Sequence, residues 1–152
     1  MVSRASHLVR SLVADRLGAG RERSLPRLAD VHPRASQGSR RWRGPGVVPV
    51  EAIIGTASAL PGTRRSDFLP ASRHQPADWR NRWSRLEDAA RNLTPLPPIE
   101  VIEAGDGYWV IDGHNRVALA RATGQLWIDA DITAVVLPSA GTPIPSVQRG
   151  TT

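Results

Sequence analysis

Apolar side chains recur along this chain with two spacings, every three or four residues in some stretches and every second residue in others. Leu8, Val9, Leu12, Val13 and Leu17 fall near one face of a helix over Ser3 to Leu17, with Arg4, Arg10 and Arg16 among the polar positions. From Gly18 to Gly46 large apolar residues thin out in favour of Arg, Ser, Pro and Gly. Such a stretch buries too little surface to offset its ordering entropy, so it reads as a flexible arm. Val47 to Ile54 is rich in β-formers, its Pro49 suits an edge strand or strand start, and Gly55 ends it. Residues 56 to 75 carry Pro61-Gly62 and Phe68-Leu69-Pro70, a long loop pinned by Phe68 and Leu69. Loops of that length inside a compact domain often serve function.

The helical spacing returns at about Ala77 to Leu93, where Trp79, Trp83, Leu86, Ala90 and Leu93 form a stripe suited to a core. Arg80, Arg82 and Arg85 share that helix with Asp78, Glu87 and Asp88, which makes a solvated, ion-paired face the default. Pro95-Leu96-Pro97-Pro98 stops the helix, and Ile99 to Glu103 with Tyr108 to Ile111 form a hairpin around Gly105-Asp106-Gly107. A second helix is predicted from about His114 to Thr123, closed by Gly124. In the last strand, Leu126 to Leu137, Ile128, Ala130, Ile132, Ala134 and Val136 share one face and Asp129, Asp131 and Thr133 the other. The pattern as a whole predicts a compact α+β domain with a small mixed sheet over residues 46–137, a basic leader at 1–45 and a disordered tail at 138–152.

Composition sharpens this division. A length of 152 residues suits one domain with appendages. No apolar run is long enough to cross a bilayer and no secretory h-region follows the first basic residues, so a soluble, cytoplasmic protein is expected. The absence of cysteine removes disulfides, thiolate nucleophiles and cysteine metal sites together. The net charge of +6 is unevenly placed: residues 1–45 hold ten Arg against three acids, and residues 46–137 hold nine Arg against eleven. The leader is therefore the segment suited to DNA phosphates, while the domain is mildly acidic. All of the cations are Arg, which suits phosphate recognition but is explained more simply by the codon bias of a GC-rich genome.

The chemistry concentrates in residues 108–124, YWVIDGHNRVALARATG. An apolar strand ends at Asp112, Gly113 permits a tight turn, and the following helix aims unpaired N–H groups and its positive dipole end forward. That is the outline of an anion site, with His114, Asn115 and Arg116 adding donors. The competing structural reading has Asp112 capping the helix and Arg116 pairing with Asp112 or another carboxylate. Spacing alone leaves the two level. No His-x-x-x-His or carboxylate cluster has metal-ligand spacing.

The stretch LPPIEVIEAGDGYWVIDGHNRVALARATGQ resembles the core of the ParB/sulfiredoxin superfamily, in particular small bacterial ParB N-terminal-like proteins with a DGHHR motif. VPVEAIIG, DFLP and the Trp-rich helix extend the resemblance to about residues 46–137. It implies a phosphate cradle at Gly113, His114, Asn115 and Arg116. Sulfiredoxins offer a catalytic cysteine where His114 stands, so their chemistry is excluded here. Chromosome-partitioning ParB proteins read Gly-Glu-Arg-Arg at this turn and bind CTP; Gly113 and Arg116 match, His114 and Asn115 do not. Those proteins also carry a helix-turn-helix domain, for which the residues after 137 are too few, so centromere binding is not expected. Free-serine kinases resemble the chain at Asp112-Gly113-His114 and Arg116, and Pro49-x-Glu51 parallels their early glutamate. That branch implies Glu51 as general base and Asp112 holding Mg²⁺ or orienting a phosphoryl group, in a phosphotransferase or NTPase using a nucleoside phosphate with Mg²⁺. Read only from the strand, Glu51 is an exposed carboxylate. The alternative to nucleotide binding is a non-enzymatic, DNA-associated or regulatory module acting through the Arg-rich leader.

Overall fold

A computed structural model of the chain describes residues 23–58, 64–71, 77–105 and 107–138. Among these residues the core is a five-stranded mixed sheet with three helices. In chain order these are α1 (Leu28–Val31), β1 (Ser39–Pro49), β2 (Ile53–Thr56), α2 (Trp79–Arg91), β3 (Ile99–Ala104), β4 (Gly107–Asp112), α3 (His114–Thr123) and β5 (Trp127–Val136). The α+β class and the strand–Gly–helix turn expected from the sequence are both present.

The strands lie in the order β1-β5-β3-β4-β2. β3 and β4 form the expected antiparallel hairpin, with Gly105 at φ +63 in its turn; Asp106 lies outside the described residues. β5 runs parallel to β3 and β2 parallel to β4, so the sheet mixes both kinds of ladder. The β2–β4 pairing sets the site, because both strands run toward the start of α3 and place Thr56 opposite Val110.

One face of the sheet carries most of the core. Val48, Ile53, Ile99, Val101, Val110 and Ala130 meet Val117, Ala118 and Leu119 of α3 and Trp83 of α2, and Phe68 and Leu69 of the loop are buried among them. The two residues expected to pin the loop are thus buried; residues 59–63 and 72–75 of that loop lie outside the described residues, and Thr56 belongs to β2. On α2, Trp83 is buried and Trp79 and Leu86 pack against the core, but Leu93 is 90% exposed. The helix ends at Arg91 and Leu93 takes φ +52, so the helical spacing no longer places it on the stripe. Asp78–Arg82 and Asp88–Arg91 pairs make α2 partly the ion-paired helix expected.

The other face corrects the sequence reading. Residues 23–38, within the stretch expected to be a flexible arm, fold against the sheet: Leu28 and Ala35 are buried with Ile102, Ala104, Trp109 and Val135. The first strand likewise begins at Ser39 rather than Val47, since its pairing with β5 uses backbone groups and needs no apolar side chains at Arg40 or Arg41. The run Val47 to Ile54 is broken by a 3₁₀ turn at Val50–Ala52, and Gly55 lies inside β2 instead of ending it. A Cβ at Gly55 would stand 2.2 Å from the Pro26 carbonyl oxygen, so this glycine lets residue 26 approach the strand. The alternation in β5 holds for Ile128, Ala130 and Ile132 and then fails: Val135 is buried and Val136 exposed, because the second face is covered at that end. The amphipathic stretch 3–17 and the tail beyond Pro138 lie outside the described residues.

Candidate functional site

β4 delivers the chain to Asp112, and Gly113 then takes φ +104, a left-handed conformation that favours glycine. A Cβ there would also lie 2.5 Å from Ile99 Cγ2. With glycine in the cap position, no side chain caps the start of α3. Val117 N–H donates to the Gly113 carbonyl at 3.0 Å, and the amides of the preceding turn have no acceptor within the helix. Those amides and the helix dipole make this end electropositive.

Arg116 brings its guanidinium to that end, with Cζ 3.2 Å from where a Gly113 Cβ would stand, but its donors are already engaged. Its Nη2 donates to Asp112 Oδ2 at 2.8 Å, and its Nη1 donates to the carbonyls of Pro97 at 2.6 Å and Pro98 at 2.8 Å. The pairing alternative for Arg116 is the arrangement observed, and the residue fastens the turn to the segment before β3. The Asp112 carboxylate, 68% exposed, is the other half of that pair.

His114 Nε2 lies 2.8 Å from Thr56 Oγ1, a hydroxyl on a residue only 2% exposed at the end of β2. The Ser58 N–H donates to the same hydroxyl at 3.0 Å. The imidazole is tilted against Phe68, with centroids 6.5 Å apart. Burial, reinforced by the charge of Arg64 and opposed by Asp112, pushes the His114 pKa down to about 4. His114 is therefore neutral at neutral pH.

Asn115 Oδ1 accepts from Arg64 Nη1 at 2.7 Å, and the same nitrogen donates to the Phe68 carbonyl at 3.1 Å. Phe68 adopts φ +69, is fully buried, and has the Arg121 guanidinium 4.7 Å over its ring. Burial pulls the Arg64 pKa below its ordinary value. The start of α3 thus gathers Thr56, Arg64 and Phe68 around His114 and Asn115. None of these three was singled out for the site from the sequence. The only signal for Arg64 was its place in a long loop, and for Thr56 its place after Gly55.

Glu51 is not part of this group. It is exposed in the 3₁₀ turn before β2 and lines an open groove with Arg121, Gly124 and Trp127. Val50 N–H donates to the Leu126 carbonyl at 3.0 Å, which holds this turn beside the C-terminal end of α3. A ten-residue helix rises about 15 Å, so Glu51 and Asp112 sit by opposite ends of α3. Among the described residues no group of three or more His, Cys, Asp or Glu side chains is placed to hold a metal ion. Asp67 accepts from the Leu69 amide at 3.1 Å and pairs with Arg65 at 2.9 Å, which shapes the loop. In the leader, Arg27 pairs with Asp30 and Arg43 with Glu103, while Arg40 and Arg41 are exposed on β1.

No family model matches the sequence, and no curated protein matches it significantly. Among solved structures, the sulfiredoxin from Arabidopsis thaliana is similar, with 25% identity, 58% of this chain and 82% of that chain covered, and a TM-score of 0.39. No helix among the described residues is long and apolar enough to cross a membrane.

Proposed function

We propose that this chain is a ParB N-terminal-like domain protein of the ParB/sulfiredoxin superfamily that binds a nucleotide, or another phosphoanion, at the N-terminal turn of α3. The observation that carries the reading is the Gly113 turn, which leaves the first-turn amides of α3 uncapped beside His114 and Asn115. A neutral His114 serves such a site as a fixed ring held by Thr56, adding no charge of its own. Magnesium, where the ligand brings it, is carried mainly by phosphate oxygens and water, with Asp112 as the protein carboxylate of the turn.

The reading is one of binding rather than of phosphoryl transfer. A general base must reach the proton it removes directly or through one water, and Glu51 stands by the far end of α3. Sulfiredoxin chemistry is excluded because the chain has no cysteine. The test is a thermal-shift screen of the full chain with nucleoside mono-, di- and triphosphates, each with and without Mg²⁺. Binding at a hundred times Kd stabilises the folded state by about 2.7 kcal/mol and raises Tm accordingly. A screen in which no phosphate compound moves Tm would overturn the reading.

A further inference from the structure

We propose that Arg64, rather than Arg116, is the cation that recognises a terminal phosphoryl group at the start of α3. This rests on the phosphoanion reading above and assigns the residue that confers it. Three observations converge on Arg64. Its guanidinium is half-buried, yet the two groups it bonds, the Asn115 side-chain oxygen and the Phe68 carbonyl, are both neutral. It stands beside the electropositive end of a helix, where a second positive charge is unfavourable unless an anion joins them. It is also close enough to His114 to oppose protonation of that ring. Arg116 lies in the first turn of the same helix and is also largely buried, but its guanidinium already has a carboxylate partner and two carbonyls as acceptors.

The arrangement around Arg64 suits a phosphoryl group in particular. Among the described residues both side-chain bonds of Arg64 come from Nη1, and the Asn115 amide nitrogen lies on the same side chain as the oxygen that Arg64 engages. An anion that takes over the guanidinium releases the Asn115 side chain and meets the first-turn amides as well. Three kinds of donor match the three terminal oxygens of a phosphoryl group better than the two of a carboxylate.

The experiment is calorimetric titration of the full chain with inorganic phosphate, pyrophosphate, ADP and acetate, comparing wild type with Arg64→Gln, Arg64→Lys and Arg116→Lys. Arg64→Gln retains hydrogen-bonding capacity toward Asn115 and Phe68, so it tests the charge with less disturbance to the loop. Expected is binding of pyrophosphate or ADP well above acetate, weakened about tenfold or more by Arg64→Gln. Arg64→Lys should weaken it less, because an ammonium keeps the charge without the planar fork. Arg116→Lys should change it by less than about threefold, keeping the charge beside Asp112. An independent readout is the His114 titration followed by NMR, in which Arg64→Gln raises the pKa by removing the neighbouring charge. If wild type binds none of the phosphate probes, the phosphoanion reading falls and this assignment with it. If wild type binds and Arg64→Gln binds equally well, the Arg64 assignment alone is overturned, and a loss confined to Arg116→Lys returns the role to Arg116. Acetate binding equal to pyrophosphate overturns the phosphoryl preference.

Discussion

The two ends of α3 are both closed by a left-handed glycine, Gly113 at φ +104 and Gly124 at φ +71, yet they are built for different ends. A Cβ at Gly113 would meet Ile99 at 2.5 Å, whereas a Cβ at Gly124 would meet nothing within 4 Å. Around the first glycine the polar side chains of Thr56, His114, Asn115 and Arg64 bond to one another or to buried backbone. Around the second, Glu51, Gln125 and Trp127 are exposed along an open groove. Helix geometry alone accounts for the C-terminal end. The N-terminal end carries constraints beyond ending or starting a helix, as expected of a site that holds charge in a semi-buried setting.

The sharpest way to break this comparison is to add one methyl group at each glycine. Gly113→Ala combines a left-handed penalty of about 1–3 kcal/mol with overpacking of about 1–3 kcal/mol against Ile99, so a loss of about 4 kcal/mol is expected. Gly124→Ala meets only the conformational penalty and should cost about 1 kcal/mol. Urea unfolding of both variants measures the difference, and equal losses would mean that the tight packing at Gly113 does not matter.

Next in size is the pH dependence that His114 imposes. Folding lowers its pKa from 6.5 to about 4, so as pH falls the unfolded chain takes up this proton before the folded one does. The His114 contribution is complete above about pH 7, declines between pH 6.5 and 4, and levels off below that, for a total of about 3 kcal/mol. Unfolding free energies at pH 7, 5 and 4 should show this decline in wild type and lack it in His114→Asn. A decline of the same size in the variant would assign it to another group.

How much of this was legible in the sequence depended on which interactions decide each part. The hairpin, α3 and the Gly113 turn are encoded locally, by turn residues and spacing, and they stand where Asp112-Gly113-His114 and Gly124 placed them. The strand from Ser39 was hidden because its pairing with β5 depends on backbone hydrogen bonds between distant segments, under side chains as polar as Arg40 and Arg41. Arg64 and Thr56 were hidden for a related reason: they reach His114 and Asn115 across about fifty residues of chain, a proximity created only when β2 pairs with β4. Glu51 was chosen for its chemistry and its place after Pro49, but the 3₁₀ turn that follows β1 carries it to the other end of α3.

Two smaller effects separate fastening from recognition at the N-terminal end. Arg116→Ala removes charged hydrogen bonds to Pro97, Pro98 and Asp112 and should cost about 1–2 kcal/mol of stability, since the Arg116 side chain is only 14% exposed. The loss should appear as a lower urea midpoint, and an unchanged midpoint would mean that the segment before β3 needs no such tie. Glu51→Gln, on the exposed turn by the C-terminal end, should change stability by less than about 0.5 kcal/mol and leave phosphate binding unaltered. Its value lies in the asymmetry it tests. A loss of nucleotide turnover in Glu51→Gln, with binding intact, would mean that the far end of α3 acts on a ligand held at the near end, and the separation of the two ends would no longer describe how the protein works.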